Sequence, residues 1–400
     1  MASPRVLFFS ESQGWSGGAK QLLRLAERLR AGGWDIRVAC PRDGQTFRKA
    51  EEMGLSPIDL HPREDYDVPT AWRLARLLSR EGIDLLHAHH PRAHAVGLIA
   101  AYLSRRPPLF VVTRRVSFAP QRNPFSLFKY RSGRISGFIA VAGSIRQALL
   151  EAGVEPSRVT VIPSGVDLDT FTPRPRDEAL AAELGLDARV PVVGKIANYG
   201  SWKGQDVALA AASRLKAQGR KAVFLFAGRD TDGPEIRGKA RALGLADADV
   251  RFLGFREDVP RLLSLLAVSI NAAIAGEGLS GALRESFAMN VPVAASDAGG
   301  NGELVEDGVT GRLSPAGDAD GLARAVASLL DDPAGAKRMA EEGRRRVAER
   351  YGADRVAALT ADFYRSLLAG AGRASSGDIA AQASSTPMSR QDSQELETRK

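Results

Sequence analysis

The chain has 400 residues, 44% of them hydrophobic, which is enough for two domains with separate cores. The single cysteine, Cys40, excludes an internal disulfide, and no apolar run approaches the roughly 20 residues that a membrane-spanning helix needs. The net charge of +8 arises entirely within the first 170 residues, which hold 24 Lys and Arg against 16 Asp and Glu. We expect a cytoplasmic protein with a basic first half that contacts an anionic partner.

The first half alternates short apolar segments with longer amphipathic ones. We predict strands near residues 5–10, 35–40, 56–60, 84–88, 109–113, 137–141 and 159–163, and helices near residues 18–32, 69–81, 91–104 and 143–152. This alternation is typical of a parallel sheet with helices on both faces. The sequence therefore predicts an α/β domain over residues 1–170.

A glycine-rich loop, Glu11 to Ala19, follows the first predicted strand. It lacks the GxGxxG spacing of dinucleotide-binding loops, and the lysine after its glycines is not followed by the Ser or Thr of a P-loop. We interpret Gly14, Gly17 and Gly18 as positions that let the backbone approach a ligand closely.

Four of the five histidines lie close together in sequence, at positions His87, His89, His90 and His94. No carboxylate or cysteine accompanies them at ligand spacing, so we do not expect a metal site. The carboxyl ends of parallel strands are where such sheets bind ligands, and this makes His89 and His90 candidate substrate contacts. Packing in the core is the alternative explanation for part of this cluster.

Residues 104–134 contain eight basic residues and no acidic one, interleaved with phenylalanine and tyrosine. Such a surface suits an anionic membrane leaflet, at about 1 kcal/mol for each well-placed cation, or an anionic acceptor. No nucleic-acid-binding motif accompanies the stretch, so we expect no nucleic-acid partner. A merely solvated basic face is the alternative.

Turn-forming residues at 171–189, including Pro173 and Pro175, predict a linker. After the linker the α/β alternation resumes, with strands predicted near residues 190–197, 222–227, 250–254, 267–273 and 291–296. We predict a second α/β domain over residues 190–350 and a cleft between the two sheets. Lys195 and Lys203 flank the first strand-to-helix loop of this domain, where two ammonium groups can neutralise a diphosphate.

The stretch from Ser269 to Val305 reads as strand, glycine-rich turn and helix. The helix opens near Gly278 and Ser280, and its unpaired N–H groups would attract an anion. Glu285 lies on the helical face that points back to this opening, and Glu277 faces the same space from the loop. Two carboxylates beside an anion are explained if they accept hydrogen bonds from sugar hydroxyls on either side of a diphosphate. Solvated surface charges are the alternative.

The pattern of residues 319–368 predicts helices. We expect the C-terminal helical segment, taken as residues 351–370, to pack back toward the first domain. Residues 371–400 are rich in Ala, Ser, Gln and Glu and are expected to form a disordered tail.

Taken together, residues 5–368 resemble the retaining glycosyltransferases of family 4, which have the GT-B fold of two facing Rossmann-like domains. The most specific element is Glu-x7-Glu, here Glu277 to Glu285. The supporting elements are Gly194-Lys195, Lys203-Gly204, Val161 to Asp167 with Phe171, Phe252 to Gly254, and Gly299-Gly300 before Glu303.

The resemblance implies a nucleotide-diphosphate sugar as donor and no metal cofactor. The basic charge of the first domain favours a glycan or lipid-linked acceptor. It implies that Glu285 binds ribose hydroxyls, Glu277 binds donor-sugar hydroxyls, and Lys195 and Lys203 bind the diphosphate. The remaining implied donor contacts are the segment from Gly278 through Leu279 to Ser280, the base-proximal Phe255, and the glycines Gly17 and Gly18. Glu277, Lys195 and Lys203 would be the catalytic set, because charge neutralisation lets the diphosphate leave.

Two positions depart from the family pattern. Many relatives have a histidine in a Thr-x-His context after the fifth strand, whereas this chain has Arg115 there. We expect Arg115, with Arg114 beside it, to bind an acidic group on the acceptor. Lys195 stands where arginine is common, which removes the bidentate guanidinium fork.

Two other functions remain open at the level of sequence. A sugar-nucleotide 2-epimerase shares the fold and the donor, and it would release a free sugar without any acceptor. A catalytically inactive nucleotide-sugar-binding protein is the second alternative, and Arg115 is the residue that keeps it open. Incubation with a panel of nucleotide sugars would separate these alternatives from a transferase of the cell envelope.

Overall fold

The structure, a computed structural model, describes residues 3–121 and 123–371. These residues form two parallel β-sheets, each covered by helices on both faces. The first sheet has seven strands in the order β3-β2-β1-β4-β5-β6-β7, and the second has six in the order β10-β9-β8-β11-β12-β13. The predicted architecture of two Rossmann-like domains is confirmed. The predicted tail, apart from Ala371, lies outside the described residues, as does Arg122 of the basic stretch.

We call the part that contains the first sheet the first lobe. Its strands are β1 Arg5–Phe9, β2 Asp35–Cys40, β3 Ile58–Asp59, β4 Leu85–Ala88, β5 Leu109–Arg114, β6 Gly137–Ala140 and β7 Val159–Val161. Its helices are α1 Gly17–Ala31, α2 Gln45–Glu52, α3 Val68–Arg80, α4 Pro91–Leu103, α5 Pro124–Arg131 and α6 Gly143–Glu151, with a short 3-10 turn at Pro156–Arg158.

The part that contains the second sheet is the second lobe. Its strands are β8 Val192–Ile196, β9 Val223–Ala227, β10 Val250–Phe252, β11 Val268–Asn271, β12 Val293–Asp297 and β13 Arg312–Pro315. Its helices are α7 Glu178–Glu183, α8 Gln205–Ala217, α9 Pro234–Ala242, α10 Val259–Leu263, α11 Gly281–Ala288, α12 Asn301–Leu304, α13 Ala319–Asp331 and α14 Pro333–Tyr351. A final helix, α15 Ala353–Gly370, follows.

Residue patterning explains these elements. The inner strands β4, β6, β9 and β11 are buried along their whole length, as expected for strands with helices on both faces. Helix α1 begins after Ser16, whose side chain accepts a hydrogen bond from the amide of Ala19, and its leucines repeat on one face. Sequence and fold therefore agree in the centre of both sheets.

The two lobes are joined by two chain segments that run side by side. Val166 in the first segment forms a parallel bridge to Gly352 in the second, and the amide of Val166 donates to the carbonyl of Tyr351 at 2.8 Å. Helix α15 then lies against α1, and the side chain of Tyr364 is buried in the apolar cluster of the first lobe. The last helix therefore belongs spatially to the first lobe.

Several elements were absent from the predictions. Helix α7 forms inside the stretch predicted as a linker, where Asp177 accepts a hydrogen bond from the amide of Leu180. Helix α5 begins at Pro124 after the cap residue Asn123, and the edge strand β13 pairs with β12. These elements are short, so their apolar repeats are too brief to stand out in sequence. Among the described residues, no helix has both the length and the apolar character to cross a membrane.

Candidate active site in the cleft between the lobes

The central pair of charges in the cleft is Lys203 and Glu277. Both follow strands of the second sheet, β8 and β11, which are neighbours, so their loops meet at the carboxyl edge. The Nζ atom of Lys203 lies 2.8 Å from Oε1 of Glu277, and the Glu277 side chain is only 9% exposed. The same ammonium lies 3.8 Å from the ring centroid of Trp202. Two residues singled out from sequence thus form an ion pair, in which Glu277 is buried and Lys203 is 25% exposed.

Lys195, at the end of β8, is 2% exposed. The pKa of its ammonium is lowered to about 7, chiefly by burial and also by the charge of Lys203, while the charge of Glu277 partly opposes the shift. A second cation beside a single carboxylate leaves an excess of positive charge at this edge. An anion placed between the lysines would relieve their repulsion and favour the protonated form of Lys195.

Helix α11 begins directly beyond this edge. Ser280 is its cap, because its Oγ accepts a hydrogen bond from the amide of Leu283 and another, at 2.8 Å, from Nδ2 of Asn271. Leu279 and Ser280 are both buried. The predicted opening of the helix is therefore fixed in position by β11.

The glycines of this region are required by close backbone contacts. A Cβ atom on Gly278 would lie 2.1 Å from the carbonyl oxygen of Arg115, and one on Gly300 would lie 1.8 Å from that of Gly278. The amide of Gly300 donates to the carbonyl of Glu277 at 3.2 Å. The segment 276–281 is thus held between the first lobe and the loop after β12; we call it the donor loop, after the role that the sequence predicted for it.

Glu285 is partly buried on α11 and faces the first lobe. Burial raises the pKa of its carboxyl group, and the positive charges of Lys20 on α1 and of Arg284 oppose the rise. Neither of the two predicted carboxylates therefore points freely into solvent. Lys20 was not proposed from sequence, because only the tertiary fold brings α1 near Glu285.

The glycine-rich loop of the first lobe faces the second lobe. A Cβ atom on Gly18 would lie 2.8 Å from Nε2 of His90, whereas one on Gly17 would meet no atom within 4 Å. A Cβ atom on Gly14 would lie 2.4 Å from a guanidinium nitrogen of Arg229, which belongs to the second lobe. Gly17 therefore borders open space. At positions 14 and 18 side chains occupy the space that a Cβ atom would need, so glycine fits there without displacing them.

The histidine cluster is mostly core. Burial lowers the pKa of His87, His89 and His94, so all three are neutral at pH 7. The ring of His87 hydrogen-bonds to Tyr364 on one side and, at 2.6 Å, to Oγ1 of Thr113 on the other. His90 lies nearer the cleft, where its Nδ1 is 2.7 Å from Oγ of Ser10, and burial lowers its pKa to about 3.

Arg115 extends from the end of β5 toward this cluster. Its guanidinium donates to the carbonyl of His89 at 3.1 Å and contacts Nδ1 of His89 at 3.0 Å. Burial lowers its pKa to about 10, and the nearby charge of Arg284 contributes to the shift. Arg115 and His89 thus contact each other in the floor of the cleft.

The other predicted contacts lie farther from the ion pair. Arg114 donates to Oη of Tyr130 and to the carbonyl of Phe118, so its side chain orders the loop after β5. Phe255 is exposed in the loop after β10. No hydrogen bond or ring contact joins Phe255 to the lysine-carboxylate group within the described part of the chain.

The two lobes touch directly across the site. Val116 forms an antiparallel bridge with Glu277, and the ring of Phe118 packs edge-on against Trp202 with centroids 5.7 Å apart. The carboxylate of Glu303 accepts hydrogen bonds from the amides of Gly143 and Ser144 at the start of α6. The structure is therefore in a closed arrangement. Over residues 3–121 and 123–371, no cluster of three or more His, Cys, Asp or Glu could hold a metal ion.

Two Rossmann-like lobes that face each other across a charged cleft define the GT-B fold, and solved structures share this fold. Anabaena Alr3699/HepE in complex with UDP and glucose matches with a TM-score of 0.80 and 24% identity, covering 91% of this chain and 100% of that one. A Rickettsia africae glycosyltransferase matches with a TM-score of 0.81 and 20% identity, covering 92% and 99%.

The chain belongs to the family 4 glycosyltransferases. The Glycosyltransferase Family 4 model matches residues 15–170, and the Glycosyl transferases group 1 model matches residues 188–332. The lipopolysaccharide core biosynthesis mannosyltransferase LpcC of Rhizobium leguminosarum bv. viciae is 31% identical over 79% of this chain and 89% of its own length. The phosphatidyl-myo-inositol mannosyltransferase of Mycolicibacterium smegmatis is 27% identical over 79% and 81%. The resemblance inferred from Glu277 to Glu285 is confirmed at the level of the family.

Proposed function

We propose that this enzyme transfers a sugar from a nucleotide-diphosphate sugar to a lipid-linked, lipopolysaccharide or polysaccharide acceptor of the cell envelope, with retention of configuration. The observation that carries the proposal is the ion pair between the partly exposed Lys203 and the buried Glu277, beside the buried Lys195, at the sheet edge where α/β folds bind ligands. The names of the two mannosyltransferase relatives support an envelope acceptor.

In this proposal the donor lies between the donor loop and the first lobe. The two lysines neutralise its diphosphate, Glu277 accepts hydrogen bonds from the transferred sugar, and Glu285 accepts them from the ribose. The backbone of Gly278 to Ser280, together with Gly17 and Gly18, lies around the phosphates of the donor. Phe255 lies toward the base. UDP in the complex of the Anabaena neighbour supports a nucleotide in this fold.

The chemical step needs no side-chain nucleophile. The bond between the anomeric carbon and the diphosphate oxygen breaks, and the acceptor oxygen forms a new bond to that carbon on the same face. The departing diphosphate oxygen takes the proton of the acceptor hydroxyl, so charge and atoms balance. Lys195 and Lys203 stabilise the negative charge that develops on the leaving group. Because two ammonium groups supply this positive charge, the proposed reaction is metal-independent.

The acceptor side of the proposal uses the first lobe. His90 borders the glycine-rich loop, whereas His89, Arg114 and Arg115 shape the floor and wall of the cleft through the contacts described above. Arg115 is the cation that we assign to an acidic group of the acceptor, because its Nε atom is buried and has no hydrogen-bond partner among the described residues.

A membrane contact is the second part of the acceptor proposal. Of thirteen large apolar side chains exposed in the described residues, eight lie between residues 66 and 128 in the first lobe. Phe118 faces the second lobe, and we call the other aromatic members, Tyr66, Trp72, Tyr102, Phe125 and Phe128, the aromatic surface. Phe125 packs on Tyr66 and Phe128 on Tyr102, while Arg76 and Arg134 stack on neighbouring rings. Aromatic and cationic groups together suit the headgroup region of an anionic leaflet, at the cytoplasmic face.

The test is a donor panel. The purified protein is incubated with UDP-, GDP- and ADP-sugars, with and without membrane extract, and thermal shift, hydrolysis and transfer to extract are measured. We expect one nucleotide class to stabilise the fold and sugar transfer that persists in EDTA. Release of a free, epimerised sugar without acceptor would contradict transfer, and Glu285→Ala should abolish transfer while the protein stays folded.

A further inference from the structure

Arg284 on α11 is the largest side chain among the fully buried ones of the described chain, with 2% exposure. A guanidinium removed from water must recover its hydrogen bonds inside the protein. In the part of the chain that the structure describes, its hydrogen bonds go to backbone carbonyls and not to a carboxylate. Burial lowers its pKa to about 10, so it remains charged at pH 7.

The hydrogen-bond partners of Arg284 are four backbone carbonyls in two separate segments. Its Nη1 donates to the carbonyls of Ser164 and Gly165, the latter at 2.6 Å. Its Nη2 and Nε donate to Leu279 at 3.4 Å and Ser280 at 3.3 Å. The first segment is where the chain leaves the first lobe, and the second belongs to the donor loop.

The segment at Ser164 and Gly165 is where a change in the angle between the lobes must be accommodated. Val166, the next residue, pairs with the returning chain at Gly352, so both connections between the lobes lie there. A Cβ atom on Gly165 would lie 3.0 Å from Cα of Ala353, which leaves no free space around this backbone. Hinge motions are taken up by a few residues at such positions.

We propose that Arg284 is a positioning residue that couples closure of the lobes to the conformation of the donor loop. The inference rests on the proposed function, because the donor loop acquires its role from the nucleotide sugar. A diphosphate that orders the loop fixes the carbonyls of Leu279 and Ser280, and Arg284 transmits this to Ser164 and Gly165. Since Glu285 is the next residue on α11, the same movement sets the position of its carboxylate.

The chemistry of the side chain accounts for an arginine here. The planar guanidinium carries five N–H donors in a fixed fork and can bond to both segments at once. A lysine in its place has three donors on a single nitrogen and lacks the fork by which three different nitrogens reach the two segments. Arg284→Lys therefore keeps the charge and removes the connection.

The experiment measures lobe closure and donor affinity together. Spin labels are attached at Glu64→Cys in the first lobe and Asp247→Cys in the second, since the native Cys40 is buried. Distances between the labels and the Kd are measured with whichever of UDP, GDP and ADP binds the wild-type protein. We expect the nucleotide to narrow the distance distribution in the wild type but not in Arg284→Lys, with a Kd about tenfold higher in the variant.

The matched control is Gln21→Met. Gln21 also donates to the carbonyl of Gly165, at 2.8 Å, but it reaches that carbonyl from the first lobe alone. We expect this variant to retain the wild-type nucleotide response. If Arg284→Lys also retains it, the coupling role is refuted. If the wild type binds none of the three nucleotides, the proposed function fails instead.

A measurement on the unmodified protein tests the coupling even if the variant does not fold. Hydrogen exchange at the amides of Val166 and Ala353, which pair across the two connections, is followed with and without the nucleotide. We expect binding to slow exchange at both amides. Unchanged exchange there, with clear protection in the donor loop, would overturn the coupling.

Discussion

Glu303 of the second lobe caps a helix of the first lobe, because its carboxylate accepts a hydrogen bond from the amide of Gly143 at 2.8 Å. Its other oxygen accepts one from Ser144 at 3.0 Å. Helix caps are normally supplied by the residue that precedes the helix, and the residue in that position here, Ala142, has no side-chain acceptor. The start of α6 therefore has a side-chain cap only while the lobes are in contact.

This relationship predicts that Glu303→Ala favours separation of the lobes. We expect a loss of about 1 kcal/mol from the missing cap, together with a lower donor affinity. Asp332→Ala is the control, since Asp332 caps α14 within the second lobe by accepting from Gly335 at 2.8 Å. Denaturant unfolding and nucleotide titration should show similar destabilisation in both variants, with weaker binding only in Glu303→Ala. Equal affinities in the two variants would contradict the cross-lobe role.

Lys203→Met should remove a cation from the leaving group and leave Glu277 buried without its partner. Removal of one such stabilising group typically lowers kcat by about 10²- to 10³-fold, and we expect a loss of this size. Lys216→Met is the control, because Lys216 also forms an ion pair, with Asp249 at 2.7 Å, but lies at the opposite end of α8. Steady-state kinetics should separate the two variants, and a kcat within about threefold of wild type for Lys203→Met would argue against its role.

The pKa of Lys195 sets the expected pH dependence of donor binding. In the free protein its pKa is about 7, and a bound diphosphate raises that value, so binding above pH 7 must take up a proton. Affinity should therefore be flat below pH 7 and fall by up to about tenfold per pH unit above it. Calorimetry in buffers of different ionisation enthalpy measures the proton uptake. Lys195→Arg should bind without uptake near pH 8, and uptake that persists in this variant would assign it to another group.

If the aromatic surface binds the membrane, a variant without it should lose membrane binding but still hydrolyse the donor in solution. Phe125→Ser with Phe128→Ser removes two half-exposed rings, and we expect at least about tenfold weaker binding to vesicles that contain anionic lipid. Leu243→Ser, which removes an exposed side chain of the second lobe, is the control. Vesicle co-sedimentation and donor hydrolysis are measured side by side. Equal sedimentation of all three proteins would remove the membrane contact from the proposal.

Sequence alone predicted the features that depend on local order. The alternation of apolar and amphipathic segments is encoded along the chain, so both parallel sheets could be predicted. Glu277 and Lys203 could be predicted to lie at the same edge of the second sheet, because the carboxyl ends of parallel strands share one edge. The direct ion pair between them was not predicted, because the sequence assigned each side chain to a different part of the donor.

Contacts between the lobes could not be predicted in the same way. Lys20, Arg284 and Glu303 act across distances of more than 100 residues in sequence, and each resembles an ordinary helical charge when its own segment is considered. The burial of His87 likewise follows from its bond to Tyr364 on the last helix. A pattern with a period of two or 3.6 residues carries no information about such partners.

Trp202 connects these observations in one side chain. Its indole ring is flanked by the ammonium of Lys203 and by the ring of Phe118 from the other lobe. Indole emission changes in colour and intensity with the charges and solvent around the ring, so the intrinsic fluorescence of this residue registers two events at once. Arrival of a diphosphate draws the cation away, and parting of the lobes exposes the ring to water. With Trp15, Trp34 and Trp72 replaced by phenylalanine, the fluorescence of Trp202 alone would report both donor binding and closure of the lobes.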